Sequence, residues 1–171
     1  MKIGSSKLIE KDPFVLFDKW FKLASKQEIS DPNAISLSTS DSKGFPNVRI
    51  VLMKSFNKDG LIFFSNSKSK KGREIESNSK VAVCFHWKSL EKQVRLRGKI
   101  KKISNQESDN YFSSRDRNSK IGAWASAQSR KLIKRGDLEK SYNEVSLKYK
   151  DKEIPRPPHW GGYIIKPNSI E

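Results

Sequence analysis

Between Arg49 and Arg73 the chain reads RIVLMKSFNKDGLIFFSNSKSKKGR, and Arg49, Lys54, Ser65, Ser69, Lys70, Lys71 and Arg73 bring cations and hydroxyls into one short stretch. Where such groups meet the free backbone N–H groups of a starting helix, they form the donor set of a phosphate receptor. The stretch has no Gly-x-Gly or Walker spacing, so a solvated basic turn accounts for the same residues equally well. A second cluster, Tyr111-Phe112-Ser113-Ser114-Arg115-Asp116-Arg117-Asn118-Ser119, sets an aromatic ring, two arginines and several hydroxyls at a helix end. That combination suits an anionic aromatic ligand, held by stacking and bidentate hydrogen bonds, or else it is helix capping with surface charge. His86 and His159 are the only histidines and Cys84 the only cysteine, with no metal-ligand spacing among them. No nucleophile, base and orienting acid follow a recognisable pattern either, and no catalytic side chain is singled out. Redox or group-transfer chemistry here would have to come from a bound organic cofactor.

The elements that must carry these residues read mainly as antiparallel β-structure. Asn57-Lys58-Asp59-Gly60 is a turn signal between the apolar runs Ile50 to Met53 and Leu61 to Phe64, which predicts a hairpin. Period two in its first strand sends Arg49, Val51 and Met53 to one face and Ile50, Leu52 and Lys54 to the other, so Arg49 and Lys54 serve different places. Upstream, Asp12-Pro13 predicts a helix start, followed by Phe14, Phe17, Trp20, Phe21 and Leu23 at helical spacing, and AISLSTS (34 to 40) predicts a strand. Downstream, strands are expected over 81 to 88 and 93 to 104, with Gly98 marking a bulge or barrel corner. Ser104-Asn105-Gln106-Glu107 is a capping box that opens a helix through Tyr111 and Phe112. Residues 119 to 129 are rich in small side chains and suited to close packing, including against a second copy of the chain. A helix is expected over 137 to 149, and HWGGYIIK as an edge strand. Four or five strands with short turns and outlying helices point to a small barrel or sandwich, in one domain over 12 to 171 after a flexible 1 to 11.

The chain has 171 residues and a formal net charge of +16, which points to anionic partners without choosing among nucleic acid, acidic membrane or phosphorylated metabolite. A lone cysteine in the apolar run VAVCF excludes an internal disulfide framework and fits a reducing compartment. MKIGSSKLIEKD has no signal-peptide core and no apolar run is long enough to span a bilayer, so the expectation is a soluble, cytoplasmic protein.

Taken in order, DPFVLFDKW, RIVLMKSFNKDGLIFFSN, SKKGREIESN, FHWKSLEKQVRLRGKI, YFSSRDRNSKIGAWASAQS and PPHWGGYIIKPNSIE resemble the pyridoxamine (pyridoxine) 5′-phosphate oxidases from Asp12 onward. The resemblance implies a homodimeric split β-barrel that binds flavin mononucleotide (FMN) at the subunit interface. It implies oxidation of pyridoxamine or pyridoxine phosphate to pyridoxal phosphate by oxygen, with release of peroxide, by hydride removal from the substrate's C4′ carbon. Carried over by residue, it assigns Arg49, Ser65, Lys70 and Lys71 to the flavin and chiefly its phosphate. Lys54 and Phe64 also fall within the cofactor set, and Gln93, Gln128 and Ser129 would reach the flavin from the facing subunit. Lys54, Tyr111, Arg115 and Ser119 would hold the phosphate of the B6 vitamer.

Three departures accompany the resemblance. Phe64 stands where tyrosine is common and Lys70 where arginine is usual, which keeps the charge of Lys70 but not bidentate geometry. The family's chain also runs on past the position of Glu171 into a segment with further flavin and substrate residues, so this chain is expected to be C-terminally truncated relative to the family. Two readings therefore follow: the oxidase, and a degenerate protein that binds FMN or pyridoxal phosphate without turnover. A basic barrel binding nucleic acid is disfavoured, since the interleaved aromatics of single-strand binders are missing.

Overall fold

The computed structural model describes residues 10 to 134 and 136 to 171. Most of the stretch expected to be flexible, residues 1 to 9, lies outside the described residues. Helix α1 (Pro13–Gln27) starts as its sequence predicts, with the Asp12 carboxylate accepting from the Phe14 N–H at 2.8 Å and proline in the first turn. Its aromatic stripe is core: Phe17 is buried and packs on Phe56, Phe85 and Trp87, with ring centroids 4.1, 5.1 and 5.8 Å away.

Six strands follow: β1 (Ala34–Ser40), β2 (Pro46–Asn57), β3 (Gly60–Asn66), β4 (Lys80–Trp87), β5 (Lys92–Lys102) and β6 (Trp160–Ile170). All neighbours pair antiparallel in the order β1-β2-β3-β6-β5-β4, and β4 returns to β1 to close a barrel. Period two builds the interior from Ile35, Leu37, Met53, Leu61, Phe63, Val83, Phe85, Val94, Leu96 and Ile165. On β5, Val94, Leu96 and Ile100 point in while Arg95, Arg97 and Lys99 stay exposed, as the alternation predicts. The ladder shifts between Arg97 and Gly98, where a Cβ would stand 2.0 Å from the Lys166 carbonyl oxygen, so only glycine fits this bulge. A second bulge falls between Met53 and Ser55 and sets Lys54 outside the β2–β3 ladder.

The outcome differs from expectation in the last strand. HWGGYIIK is not at an edge: β6 pairs with β3 on one side and β5 on the other, and it is what closes the barrel. Helix α2 (Lys70–Ser77) joins β3 to β4. Helices α3 (Asn105–Ser113), α4 (Arg117–Ala125) and α5 (Asp137–Lys148) lie between β5 and β6 and share a second core of Phe112, Ile121, Ile154 and Trp160. The capping box of α3 is complete, Ser104 Oγ accepting from the Glu107 N–H while the Glu107 carboxylate accepts from the Ser104 N–H. Most of the small-residue stretch is the regular helix α4, capped by Asp116. No helix among the described residues is long and apolar enough to cross a membrane.

Candidate functional site

Several hollows open among the described residues, and two of them are the most voluminous. The larger, about 640 Å³, is a groove around Lys80, Arg97 and Lys99 on the strand exteriors. The other, about 500 Å³, is where polar groups from β2, β3, α2, α3 and the loop after α4 converge, so convergence rather than size identifies it as the candidate site.

One end of this pocket is built by the β3–α2 junction. Ser69 caps α2: its Oγ accepts from the Gly72 N–H at 3.3 Å and donates to the Asn66 carbonyl at 2.7 Å. The cap places Lys71 in the first turn, where its ammonium is buried and donates to Ser69 Oγ at 3.0 Å and to Gln128 Oε1 at 2.8 Å. Burial pushes its pKa down to about 8, the Arg49 guanidinium adds to the effect, and Glu74 opposes it. Arg49 reaches the same corner from β2, with Nη1 donating to the Leu37 carbonyl at 3.2 Å and to Thr39 Oγ1 at 2.5 Å. Its Nη2 donates to Glu74 Oε2 at 3.1 Å. Ser65 Oγ lies 3.4 Å from Gln128 Oε1 and completes the corner with Ser129, whose φ of 65° is left-handed backbone at a non-glycine residue.

The other end is aromatic and cationic. Phe64 stacks on Tyr111 with centroids 3.9 Å apart and on Trp160 at 5.2 Å, forming one wall. The Arg115 guanidinium lies 4.8 Å from the Trp160 ring centroid and 5.7 Å from that of Phe112. Its Nη1 is buried with no hydrogen-bond partner among the described residues. Burial also lowers the Arg115 pKa, with Tyr111 and Asp116 working against it. A desolvated guanidinium with an unpaired N–H on a pocket wall is costly unless an acceptor arrives. Lys54 joins this pocket from the β2 bulge, and Ile50, Val51 and Leu52 line the strand between it and Arg49.

Of the residues singled out in the sequence, Arg49, Lys54, Phe64, Ser65, Lys71, Tyr111, Arg115, Gln128 and Ser129 meet in this pocket. Gln128 and Ser129, expected from a facing subunit, line it within their own chain, because the loop after α4 folds back to Lys71. Three residues lie apart. Lys70 is exposed and donates to Asn47 Oδ1 at 3.0 Å. Gln93 is on the outer face of β5 beside Cys84, in a separate groove. Ser119 sits in the first turn of α4, its N–H donating to Asp116 Oδ1 at 2.8 Å. Trp160, Thr39, Asn47 and Glu74 were not singled out. Trp160 follows His159 at the start of a strand, where a tryptophan reads as core; Thr39 and Asn47 are cross-strand neighbours that meet Glu74 only across 35 and 27 positions, which no local pattern reveals.

A family model described as pyridoxamine 5′-phosphate oxidase matches residues 21–149. A pyridoxine/pyridoxamine 5′-phosphate oxidase of Rhizobium etli is 54% identical over 160 residues, 94% of this chain and 78% of the relative. One of Brucella canis is likewise 54% identical over 94% of this chain and 79% of its own. Among solved structures, PhzG from Burkholderia lata 383 in complex with tetrahydrophenazine-1-carboxylic acid is similar with a TM-score of 0.90 and 25% identity, covering 100% of this chain and 84% of that one. A pyridoxamine 5′-phosphate oxidase-related, FMN binding protein of Nostoc punctiforme shares the fold at a TM-score of 0.72 and 15% identity, over 95% and 84% of the two chains.

Proposed function

The chain belongs to the pyridoxine/pyridoxamine 5′-phosphate oxidase family, and from that premise we propose that its pocket seats FMN at the α2 end and a phosphorylated B6 vitamer at the Arg115 end. It is a flavin-dependent oxidoreductase that converts pyridoxamine or pyridoxine phosphate to pyridoxal phosphate with oxygen, giving peroxide. The donor set fits the group. Arg49, Lys71 and Ser65 supply the charge and hydroxyl that a flavin phosphate requires, in a corner already shaped by the Ser69 cap. Bound there, FMN would supply the acceptor for the two electrons and hydrogen lost by the substrate carbon, with oxygen as the final oxidant.

The chain's own residues position and shield. Arg115 and Lys54 neutralise the vitamer phosphate, Tyr111 adds a hydroxyl, and the stack of Tyr111, Phe64 and Trp160 forms a dry wall beside the reacting centre. Ser129, held at positive φ, lines the flavin side of the pocket. The observation that carries this reading is the convergence of Arg49, Lys71, Lys54 and Arg115 with the hydroxyls of Ser65 and Tyr111 on one pocket.

The same reading includes a homodimer. Val48, Ile50 and Leu52 leave an apolar strip exposed on the outer side of β2, Phe45 is exposed just before it, and Gln93 lines the same groove as Val48. A second copy on this surface would cover the strip and bring Gln93 to the flavin of its partner. A reducing, cytoplasmic setting suits the free Cys84.

The test is a visible spectrum of the purified protein with added FMN, followed by a peroxide assay with pyridoxamine phosphate. A bound-flavin spectrum and peroxide release are expected. A chain that leaves FMN free in solution overturns the proposal.

A further inference from the structure

Glu74 lines no part of the pocket, yet it is the buried group on which the flavin-phosphate corner is hung. The residue is 4% exposed, on the inner side of α2. One carboxylate oxygen, Oε2, accepts from Thr39 Oγ1 at 2.5 Å and from Arg49 Nη2 at 3.1 Å. The other accepts from Asn47 Nδ2 at 2.7 Å, and Asn47 in turn accepts from the Lys70 ammonium through Oδ1. A single carboxylate thus ties β1, β2 and α2 together behind Arg49 and extends to Lys70.

The hydrogen count on Arg49 shows what this tie accomplishes. A guanidinium has five N–H donors in a rigid plane. Nη1 uses both of its hydrogens, on the Leu37 carbonyl and Thr39 Oγ1, and Nη2 uses one on Glu74. Among the described residues no partner takes the Nε–H or a second Nη2 hydrogen, and an Nε–Nη2 edge matches two oxygens of a phosphate. We propose that Glu74 is a positioning residue for the flavin phosphate: it occupies one edge of the Arg49 guanidinium so that the opposite edge meets the ligand. The inference rests on the FMN reading above and adds to it a residue outside the pocket.

A carboxylate that acted on the phosphate merely as a neighbouring negative charge would repel it, and neutralising that charge would tighten FMN binding. A carboxylate that holds Arg49 in register does the reverse, because its removal leaves a buried Nη2 hydrogen unpaired and frees the guanidinium to turn. The two roles therefore predict opposite signs. Glu74 has a second effect on the same corner. The charged groups facing Lys71 are Arg49 from β2, which drives its proton off, and Glu74 from its own helix, which retains it, while its direct partners Ser69 and Gln128 are neutral.

The experiment compares FMN with riboflavin, which lacks the phosphate, by flavin fluorescence titration of the full chain and of the Glu74→Ala, Glu74→Gln and Glu74→Asp variants. The preference for FMN over riboflavin is expected to fall about tenfold in Glu74→Ala and less in Glu74→Gln, whose amide oxygen still accepts, with riboflavin affinity unchanged. If Glu74→Ala does not fold, Glu74→Gln carries the test. The pH above which FMN affinity decays is expected to move down in Glu74→Gln, because Lys71 has lost the group that retains its proton. An FMN preference that stays constant or rises in the variants overturns the inference and leaves the proposed function standing. A wild-type chain that binds FMN no better than riboflavin overturns the phosphate assignment itself. The positioning role of Glu74, which rests on that assignment, falls with it.

Discussion

At the α2 end of the pocket the cations already have partners: Lys71 donates to Ser69 and Gln128, and Arg49 to Leu37, Thr39 and Glu74. At the α3 end the Arg115 guanidinium lies 4.8 Å from the Trp160 ring centroid, and its buried Nη1 has no partner among the described residues. The first end is rigid before any ligand arrives, since each donor not used for binding is fixed by a neighbour. The second is held by stacking alone and leaves its polar demand for the ligand to meet. That difference suits a cofactor that stays and a substrate that comes and goes, and it can be broken at either end.

The largest effect is expected at Arg115. Arg115→Met keeps the packing on Trp160 and Phe112 but removes the half-buried charge at that end, so KM for pyridoxamine phosphate should rise about 100-fold with FMN affinity intact. Arg115→Lys should recover little of this, because an ammonium cannot lie flat on the indole while presenting two donors. Steady-state kinetics with a parallel FMN titration checks both variants. If FMN affinity falls and KM is unchanged, the two ends have been assigned the wrong way round.

Next comes Lys71→Met. Its partners are neutral groups and its charge is held in a desolvated site, so the variant should lose FMN affinity by roughly tenfold while the ligand-free protein becomes no less stable. Thermal melts with and without FMN separate the two quantities. A variant that is destabilised without FMN would mean that Lys71 is a structural cation.

The pH dependence sharpens the comparison further, since Lys71 titrates and Arg115 does not. Its pKa is about 8 in the folded protein against the ordinary 10.5, so between these values the unfolded chain holds the proton that the folded chain has lost. Stability of the ligand-free protein therefore rises with pH across that window, and the penalty of burying the charge is present in full below it. FMN affinity has the opposite slope, decaying above about pH 8 as the ammonium is lost. Urea unfolding and FMN titration between pH 7 and pH 10.5 should show the two trends diverging, and in Lys71→Met both should flatten.

How much of this was open to reading from the chain depended on the range of the interaction. The α1 start followed from Asp12-Pro13 and the β5 bulge from an isolated glycine in an alternating run, and both stand in the structure; the period that set Arg49 and Lys54 on different faces is interrupted by the bulge at Lys54, and the two residues line one pocket. β6 was misjudged because an edge strand and a closing strand carry the same apolar run, and only its pairing with both β3 and β5 separates them. α4 was passed over although Asp116 was in place as its cap, since Gly122, Ala123 and Ala125 made the stretch look like a packing surface. Glu74 gave no signal at all: in a run such as KKGREIES a glutamate reads as solvated, and its burial depends on Thr39 and Arg49 arriving from other strands.

The smallest expected effect tests whether the ends differ even in their helix caps. Ser69 and Ser104 cap α2 and α3, the helices that present Lys71 and Tyr111, and each accepts from a first-turn N–H. Either change to alanine should cost about 1 kcal/mol of stability. Ser69 Oγ is in addition a direct partner of the Lys71 ammonium, whereas the bonds of Ser104 stay within its own capping box. Ser69→Ala should therefore weaken FMN a few-fold beyond its cost in stability. Ser104→Ala should leave both ligands bound as before, because Arg115 is held by Trp160 and Phe112 and not by the start of its helix. Urea midpoints paired with FMN and pyridoxamine phosphate titrations make the comparison. Equal binding losses in the two variants would mean that the α2 end owes its readiness to the helix as a whole rather than to the contacts of Lys71.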